Sequence, residues 1–327
     1  MKMRLTRFFG WAAALAAIGL GAAASALEEW PTRPVLVVSP FTAGSANDIV
    51  ARLVFDQVGQ QIKQAFVVEN RPGGGGIVGV ASVVRAEPDG YTLLLSSASM
   101  SSAVILHHSL PYDELRDLEP IAMLGAQPSV LVAAPGKGFK TVAELVAAAK
   151  ARPGELNFAS AGIGSASHIA GERFRLAAGL QVQHIPYRGP TEALADLMTG
   201  RIDFYFLPIA PALPLIEQGR INALAVSTPT RAQLLPEVPT IAEAGYPNAE
   251  YLFWGGVSAP ARISPMIVET LNREINTALS VPAIREKLQE LGVEPMPMTP
   301  DQFGKFFAAD VAAMVQLAKD ANIAPMD

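Results

Sequence analysis

The stretch Pro34-Val35-Leu36-Val37-Val38-Ser39-Pro40-Phe41-Thr42-Ala43-Gly44-Ser45-Ala46-Asn47-Asp48 decides the fold. Residues 34–41 form a short β-branched and apolar run, the pattern of a strand covered on both faces. Ser45-Ala46-Asn47-Asp48 then has the pattern of a capped helix start, and Ile49, Val50, Leu53, Val54, Val58 and Ile62 follow on one helical face. A buried strand that passes through small residues into an amphipathic helix is the unit of an α/β sheet. The alternation continues, with strands expected at 66–70, 92–97, 130–134, 156–160, 182–187, 204–207 and 222–227. Helices are expected from Thr141, from near Ser165 to Gly179, from Pro190 to Gly200, and over 267–279, 283–291 and 300–321. The expectation is an α/β protein with mainly parallel sheets flanked by helices, and no internal repeat stands out in it.

At the N-terminus, Lys2, Arg4 and Arg7 precede an apolar run over 8–23 and then Ala24-Ser25-Ala26, a small-x-small cleavage pattern. Residues 1–26 therefore read as a cleaved secretory signal peptide, which places the mature protein in the periplasm. Pro31 and Pro34 follow where a membrane anchor would carry a basic stop-transfer cluster. The chain has no cysteine, which excludes a lipid-anchoring cysteine, disulfides and thiolate metal sites. Without the three leader cations, 25 − 3 = 22 Lys and Arg stand against 30 Asp and Glu, a formal charge of −8 that speaks against nucleic acid as a partner.

Half of the 327 residues are apolar, enough for two domains. Two extended apolar segments flanked by breakers, 120–132 and 224–230, read as crossings between lobes. The division expected is lobe 1 over 27–125 together with 228–327, its C-terminal helices bracing the hinge, and lobe 2 over 126–227.

Catalytic patterns are missing. His107, His108, His168 and His184 have no metal-ligand spacing, Gly162-Ile163-Gly164-Ser165 is no nucleophile elbow, and no phosphate loop occurs. Gly74-Gly75-Gly76-Ile77-Val78-Gly79 fits a dinucleotide fingerprint, but some twenty residues on, where an acidic residue is needed, stands Ser96-Ser97-Ala98-Ser99. A Gly-rich turn after Arg71-Pro72 is the simpler reading. Neither enzyme activity, nor a cofactor, nor a metal is expected.

Two strand-to-helix loops carry the functional signal. Phe41, Thr42, Ala43, Gly44 and Ser45 deliver the helix bearing Asp48, and Ser160, Ala161, Gly162, Ile163, Gly164 and Ser165 deliver the helix bearing His168. Small residues let a ligand approach amides that lack intrahelical partners, and the helix dipole favours an anion there. Ser45 and Ser165 also suit plain N-caps. Two such loops at corresponding strand ends of two lobes would face each other across a cleft. Ser96 and Ser97 end a third strand and could line the same crevice. Tyr187 and Arg188 close a strand of the second lobe, with Arg188 a cation suited to a carboxylate, and Phe206 and Leu207 end another.

A series of segments then resembles the Bug (TctC-like) family, the substrate-binding proteins of tripartite tricarboxylate transporters. They are Trp30-Pro31-Thr32-Arg33-Pro34, Pro40-Phe41-Thr42-Ala43-Gly44 with Asp48 and Ala51-Arg52, Val68-Glu69-Asn70-Arg71-Pro72-Gly73, and Pro88-Asp89-Gly90-Tyr91-Thr92-Leu93-Leu94. Leu110-Pro111-Tyr112-Asp113, Thr141-Val142-Ala143-Glu144-Leu145, Ser160 to His168 and Ile185-Pro186-Tyr187-Arg188-Gly189 follow in order. The series closes with Leu224-Ala225-Val226, Val238-Pro239-Thr240-Ile241-Ala242-Glu243-Ala244-Gly245 and Ala259-Pro260.

The resemblance implies a two-lobe, type II periplasmic-binding-protein fold of the Venus-flytrap kind. It also implies a monomer that delivers a small organic carboxylate to membrane permease subunits; a sensor kinase is the alternative partner. The implied site holds the carboxylate through Phe41 to Ser45, often by ordered waters, and through the small polar residues Ser160 to Ser165 with His168. Asp48 is expected to order its loop and not to touch the anion. Phe206-Leu207-Pro208 stands where relatives often have Phe-Asp-Asn. That exchange points away from amino acids and toward an acid with an apolar or aromatic body, contacting Phe41, Phe206 and Leu207.

Overall fold

The computed structural model describes residues 30–323 and 325, so the leader over 1–26 lies outside the described residues. In chain order the elements begin with β1 (Val35–Ser39), α1 (Ala46–Ile62), β2 (Phe66–Asn70), α2 (Ile77–Val84), β3 (Thr92–Ser97) and α3 (Ala98–Leu106). Next come α4 (Glu114–Asp117), β4 (Leu118–Gln127), β5 (Ser129–Ala133), α5 (Val142–Ala151), β6 (Asn157–Ser160), α6 (Ala166–Ala177) and β7 (Gln183–Pro186). The chain continues through α7 (Pro190–Met198), β8 (Phe204–Pro208), α8 (Ile209–Glu217) and β9 (Asn222–Val226) to β10 (Phe253–Pro260). Three helices, α9 (Pro265–Ser280), α10 (Pro282–Glu290) and α11 (Pro300–Ala321), complete it.

The strands make two five-stranded sheets, β2-β1-β3-β10-β4 and β7-β6-β8-β5-β9. In each sheet three strands pair in parallel, while β10 and β5 run antiparallel to both of their neighbours. Four strands of each sheet thus share one direction. The reversed strand is in both cases the first one laid down after the chain changes sheets. No crossover α-helix precedes it in either case, so it need not be parallel.

Pro128 alone separates β4 of the first sheet from β5 of the second. The return path is pinned beside it: Ser227 N donates to Ser129 O (2.8 Å), Ser227 Oγ donates to Tyr251 O (2.8 Å) and Tyr251 N donates to Ser227 O (2.9 Å). Both connections between the sheets are therefore tied at one fully buried serine.

Two strands went unanticipated. β4 overlaps the stretch read as a crossing, and β10 carries Gly255-Gly256, which weakens any strand pattern. The packing explains the glycines: a Cβ at Gly256 would collide with Phe303 of α11 and sit 3.0 Å from Ala122 O. α11 lies this close because Trp254, fully buried, meets Phe303, Phe306 and Phe307 edge-on at 5.4–5.8 Å and donates Nε1–H to Asp310 at 2.8 Å. Each fully buried phenylalanine contributes roughly 2 kcal/mol.

One apolar cluster joins the first sheet to α1, α9 and α10 through Val37, Phe55, Leu271 and Leu288. Another joins the second sheet to α7 and α8 through Leu197, Ile209 and Ala212. A third draws on both sheets, with Leu94 and Met123 from the first, Leu106 from α3, and Leu131, Phe158 and Phe206 from the second. β1 and β6 hold the same place, second from the edge in a parallel trio, so their C-terminal ends deliver loops at equivalent points of the two sheets.

Candidate functional site

The two loops are near copies. Gly44 has φ +79° and Gly164 φ +77°, both in the left-handed region that suits glycine. Ser45 (φ −65°, ψ 156°) and Ser165 (φ −65°, ψ 159°) cap α1 and α6. Ser45 N donates to Thr42 O at 3.2 Å and Ser165 N to Gly162 O at 3.1 Å. Asp48 N donates to Ser45 Oγ at 3.4 Å and His168 N to Ser165 Oγ at 3.3 Å. The sequences agree in kind, Gly44-Ser45-Ala46-Asn47-Asp48-Ile49 against Gly164-Ser165-Ala166-Ser167-His168-Ile169. This six-residue echo is a shared loop-and-cap motif, too short to count as an internal repeat.

Each loop is closed by the side chain four residues past its glycine. In the first, Asp48 Oδ2 accepts Gly44 N–H (2.9 Å) and Arg52 Nε–H (3.1 Å), and Oδ1 accepts Asn70 Nδ2–H (2.7 Å). Asn70 also donates to Phe41 O (3.1 Å) and accepts from Arg52 (2.9 Å). Burial alone would push the Asp48 carboxyl up, but these bonds and the Arg52 charge more than offset it and hold its pKa below the ordinary 3.8. Asp48 is buried and orders the loop. Arg52 and Asn70 were not among the expected site residues, although an arginine four residues after a helical aspartate is a readable pairing signal.

In the second loop, Gly164 N donates to His168 Nδ1 at 3.1 Å. Ser165 Oγ donates to Gly162 O at 2.6 Å, Ala161 N donates to Ser167 Oγ at 2.9 Å, and Gly162 N donates to Ser160 Oγ at 3.1 Å. Ser160, fully buried, also lies 2.7 Å from His184 Nε2. The two seats differ in what they leave over. Ser165's hydroxyl is spent inside its loop, whereas Ser45's proton has no acceptor among the described residues.

Thr42, Ala43 and Gly44 are exposed, Phe41 and Ser45 are half-buried, and Ala161, Gly162, Gly164 and Ser165 are half-buried. The second loop meets the first sheet: a Cβ at Gly164 would collide with Leu106 Cδ1 of α3. The amides of Ala46 and Asn47 and of Ala166 and Ser167 head their helices with no intrahelical carbonyl to meet, which is what binds an anion.

Four of the remaining expectations are corrected. Phe206 and Leu207 are only 1% and 2% exposed, Phe206 packed edge-on to Phe174 at 6.0 Å, because β8 is an interior strand with both faces covered. They pack as core residues, with almost no exposed surface. Ser96 and Ser97 are fully buried as well. Ser96 Oγ accepts from Ser258 Oγ (3.2 Å), and Ser97 caps α3 by accepting Ser99 N–H (3.2 Å). Tyr187 donates its hydroxyl to Asp196 at 2.8 Å, and Arg188, just past β7, is exposed. The Gly-rich segment is a turn into α2: Gly74, Gly75 and Gly76 have φ of +54°, +64° and +105°, and a Cβ at Gly79 would press on Pro40. Among the described residues no group of His, Asp and Glu is placed to hold a metal, and no helix is long and apolar enough to cross a membrane.

Residues 50–323 match the family model described as "Tripartite tricarboxylate transporter family receptor". Protein BugT of Bordetella pertussis is 38% identical over 310 residues, 94% of this chain and 95% of BugT. Among solved structures, R. palustris Rpa4515 with adipate is 33% identical with a TM-score of 0.75, covering 91% of this chain and 100% of that one. MatC from Rhodopseudomonas palustris with bound malate is 29% identical with a TM-score of 0.70, covering 88% and 99%.

Proposed function

We propose that this chain, which belongs to the tripartite tricarboxylate transporter receptor family, is a periplasmic receptor that clasps a small organic carboxylate between its two loops and hands it to a membrane permease. The observation that carries this reading is the pair of matched helix N-termini at equivalent strand ends of two sheets, with Gly164 of one loop against Leu106 of the other sheet's helix. Lobe 1 is taken as 27–125 with 228–327 and lobe 2 as 126–227. The chain changes sheet at Pro128, just past the first of those limits, which falls within β4, and its return between Val226 and Phe253 is in keeping with the second. Ligand favours closure only through contacts it makes in the closed state, and two half-sites on separate lobes provide such contacts. The family description, a transporter receptor, favours the permease over a sensor kinase as partner. Binding without turnover fits loops whose serines are occupied as caps.

With Phe206 and Leu207 in the core, Phe41 is the apolar side chain left beside the first seat. An acid with an apolar body remains the preferred ligand. Adipate, bound by a 33% identical relative, is such an acid. A thermal-shift screen of mono- and dicarboxylates tests this. At a hundredfold excess over Kd the true ligand adds about 2.7 kcal/mol, a rise in Tm on the order of 5–10 °C. Acids with apolar bodies should give that rise and their amides none. Tight binding of aspartate or citrate with no response to apolar acids would defeat the assignment.

A further inference from the structure

We propose that His184, outside both loops, is a positioning residue for the second loop, and that carboxylate binding requires His168 to be uncharged. This rests on the reading of the second loop as a ligand seat.

Gly164 N–H donates into His168 Nδ1, so that nitrogen must carry a lone pair and the ring proton must sit on Nε2. The matching position in the first loop is the carboxylate of Asp48, kept anionic by Arg52 and Asn70. One seat is thus closed by a permanently available acceptor, the other by an acceptor that a single proton abolishes. His184 lies against His168 with ring centroids 4.2 Å apart and planes 20° apart, and on its other side against Phe158 at 4.8 Å and 23°. Phe158 stacks in turn on Phe204 at 5.6 Å. This column ties the first turn of α6 to β7, β6 and β8.

His184 Nε2 also faces Ser160 Oγ at 2.7 Å, and that hydroxyl accepts Gly162 N–H at 3.1 Å. The two imidazoles therefore hold both glycine amides of the loop, Gly164 directly and Gly162 through Ser160. A proton on His168 Nδ1 would break the link to Gly164 and place a charge 4.2 Å from the other ring, whereas a charged His184 would still donate Nε2–H to Ser160 Oγ, whose own proton goes to Gly162 O at 3.1 Å.

The charged surroundings give little relief. On α6, Arg175 and Glu172 pair at 2.7 Å, while Asp310 of α11 faces Arg173 at 4.0 Å. From β8 the Tyr205 hydroxyl is engaged with Ser167, and from α3 the neighbour is the apolar Leu106. Burial holds both imidazoles down to about 4; Arg175 adds to this for His168, and His168 adds to it for His184 against the pull of Glu172. Both rings are accordingly neutral at pH 7, and the second seat fails in acid while the first keeps its closure.

The test uses the full chain with adipate as calorimetric probe, together with long-range proton–nitrogen spectra of the histidine rings in the ligand-free protein. His184→Phe keeps the stack and loses the bond to Ser160; His184→Gln keeps a partner for Ser160; His168→Asn keeps an acceptor for Gly164 that no proton can block. The ring spectrum should show His168 Nδ1 unprotonated at pH 7. His184→Phe should weaken adipate about tenfold, as for one lost hydrogen bond, with His184→Gln recovering part of it. Between pH 7 and pH 4 the wild type should lose affinity relative to His168→Asn; comparison at equal pH cancels the titration of adipate itself. A protonated Nδ1 on His168, unchanged binding by His184→Phe, or superimposable pH profiles would each overturn the proposal. Should adipate not bind the wild type, the ligand assignment fails separately, and the Gly164 amide resonance decides: moved by His184→Phe it supports the positioning role, unmoved it refutes it.

Discussion

Gly164→Ala should lower carboxylate affinity about thirtyfold by calorimetry, and Gly44→Ala no more than about twofold, although the two glycines share one backbone conformation. The left-handed region costs an alanine about 1–2 kcal/mol at either position. That strain is present with and without ligand, so it lowers Tm in both variants and leaves binding nearly untouched. The added methyl group separates them. At Gly44 it meets nothing within 4 Å; at Gly164 it runs into Leu106 Cδ1 and lies 3.4 Å from Cγ. Leu106 is 8% exposed and locked in the cluster shared by both sheets, so it cannot swing aside freely. Overpacking of this kind costs about 1–3 kcal/mol, and under the proposed closure around the ligand it falls on the contact between the second loop and α3. Leu106→Ala in the Gly164→Ala background should restore most of the affinity by calorimetry. Equal losses at the two glycines would mean that the second loop does not meet α3 in the bound state.

Asp48→Ala has the largest expected effect on stability, about 3 kcal/mol, or a fall in Tm of roughly 6–12 °C. The change strands Gly44 N–H, the Asn70 amide and Arg52 at once, and it removes the strut that holds Phe41 O through Asn70. Binding should fall with it, because the first loop loses its shape. Asp48→Asn keeps one acceptor and should cost less. The sign with pH follows from the lowered pKa: the contribution of Asp48 is fully present above the unfolded value of 3.8 and is lost as pH falls through the folded value. His168 and His184 act in a higher window. Their folded values near 4 lie below the ordinary 6.5, so the unfolded chain takes up protons first and stability declines as pH falls from 6.5 toward 4. Thermal unfolding of the wild type and Asp48→Ala from pH 7 to pH 3 should converge only at the acid end.

The loops were legible because a serine before an apolar helical period is a local signal, and Ser45 and Ser165 do cap α1 and α6. Strand ends were not. Whether Ser97 or Leu207 faces solvent depends on what the following helix covers, and α3 and α8 begin directly after β3 and β8 without the small-residue loop that follows β1 and β6. His184 gave no sequence signal, because its meeting with Phe158 is fixed by the register between β6 and β7. The glycines of β10 masked a strand for the reason that makes them necessary, the close approach of Phe303. Asn70 belongs to the first seat only because β2 pairs in parallel beside β1, which brings it level with Ser39.

The most direct measurement is a crystal structure with the tightest acid from the carboxylate screen. It should show a carboxylate oxygen within hydrogen-bonding reach, directly or through one water, of amides at the heads of both α1 and α6. An acid seated elsewhere, such as the cavity of about 400 Å³ lined by Pro128, Ile209, Leu234, Arg285 and Gln289, with neither loop touching it, would contradict the account.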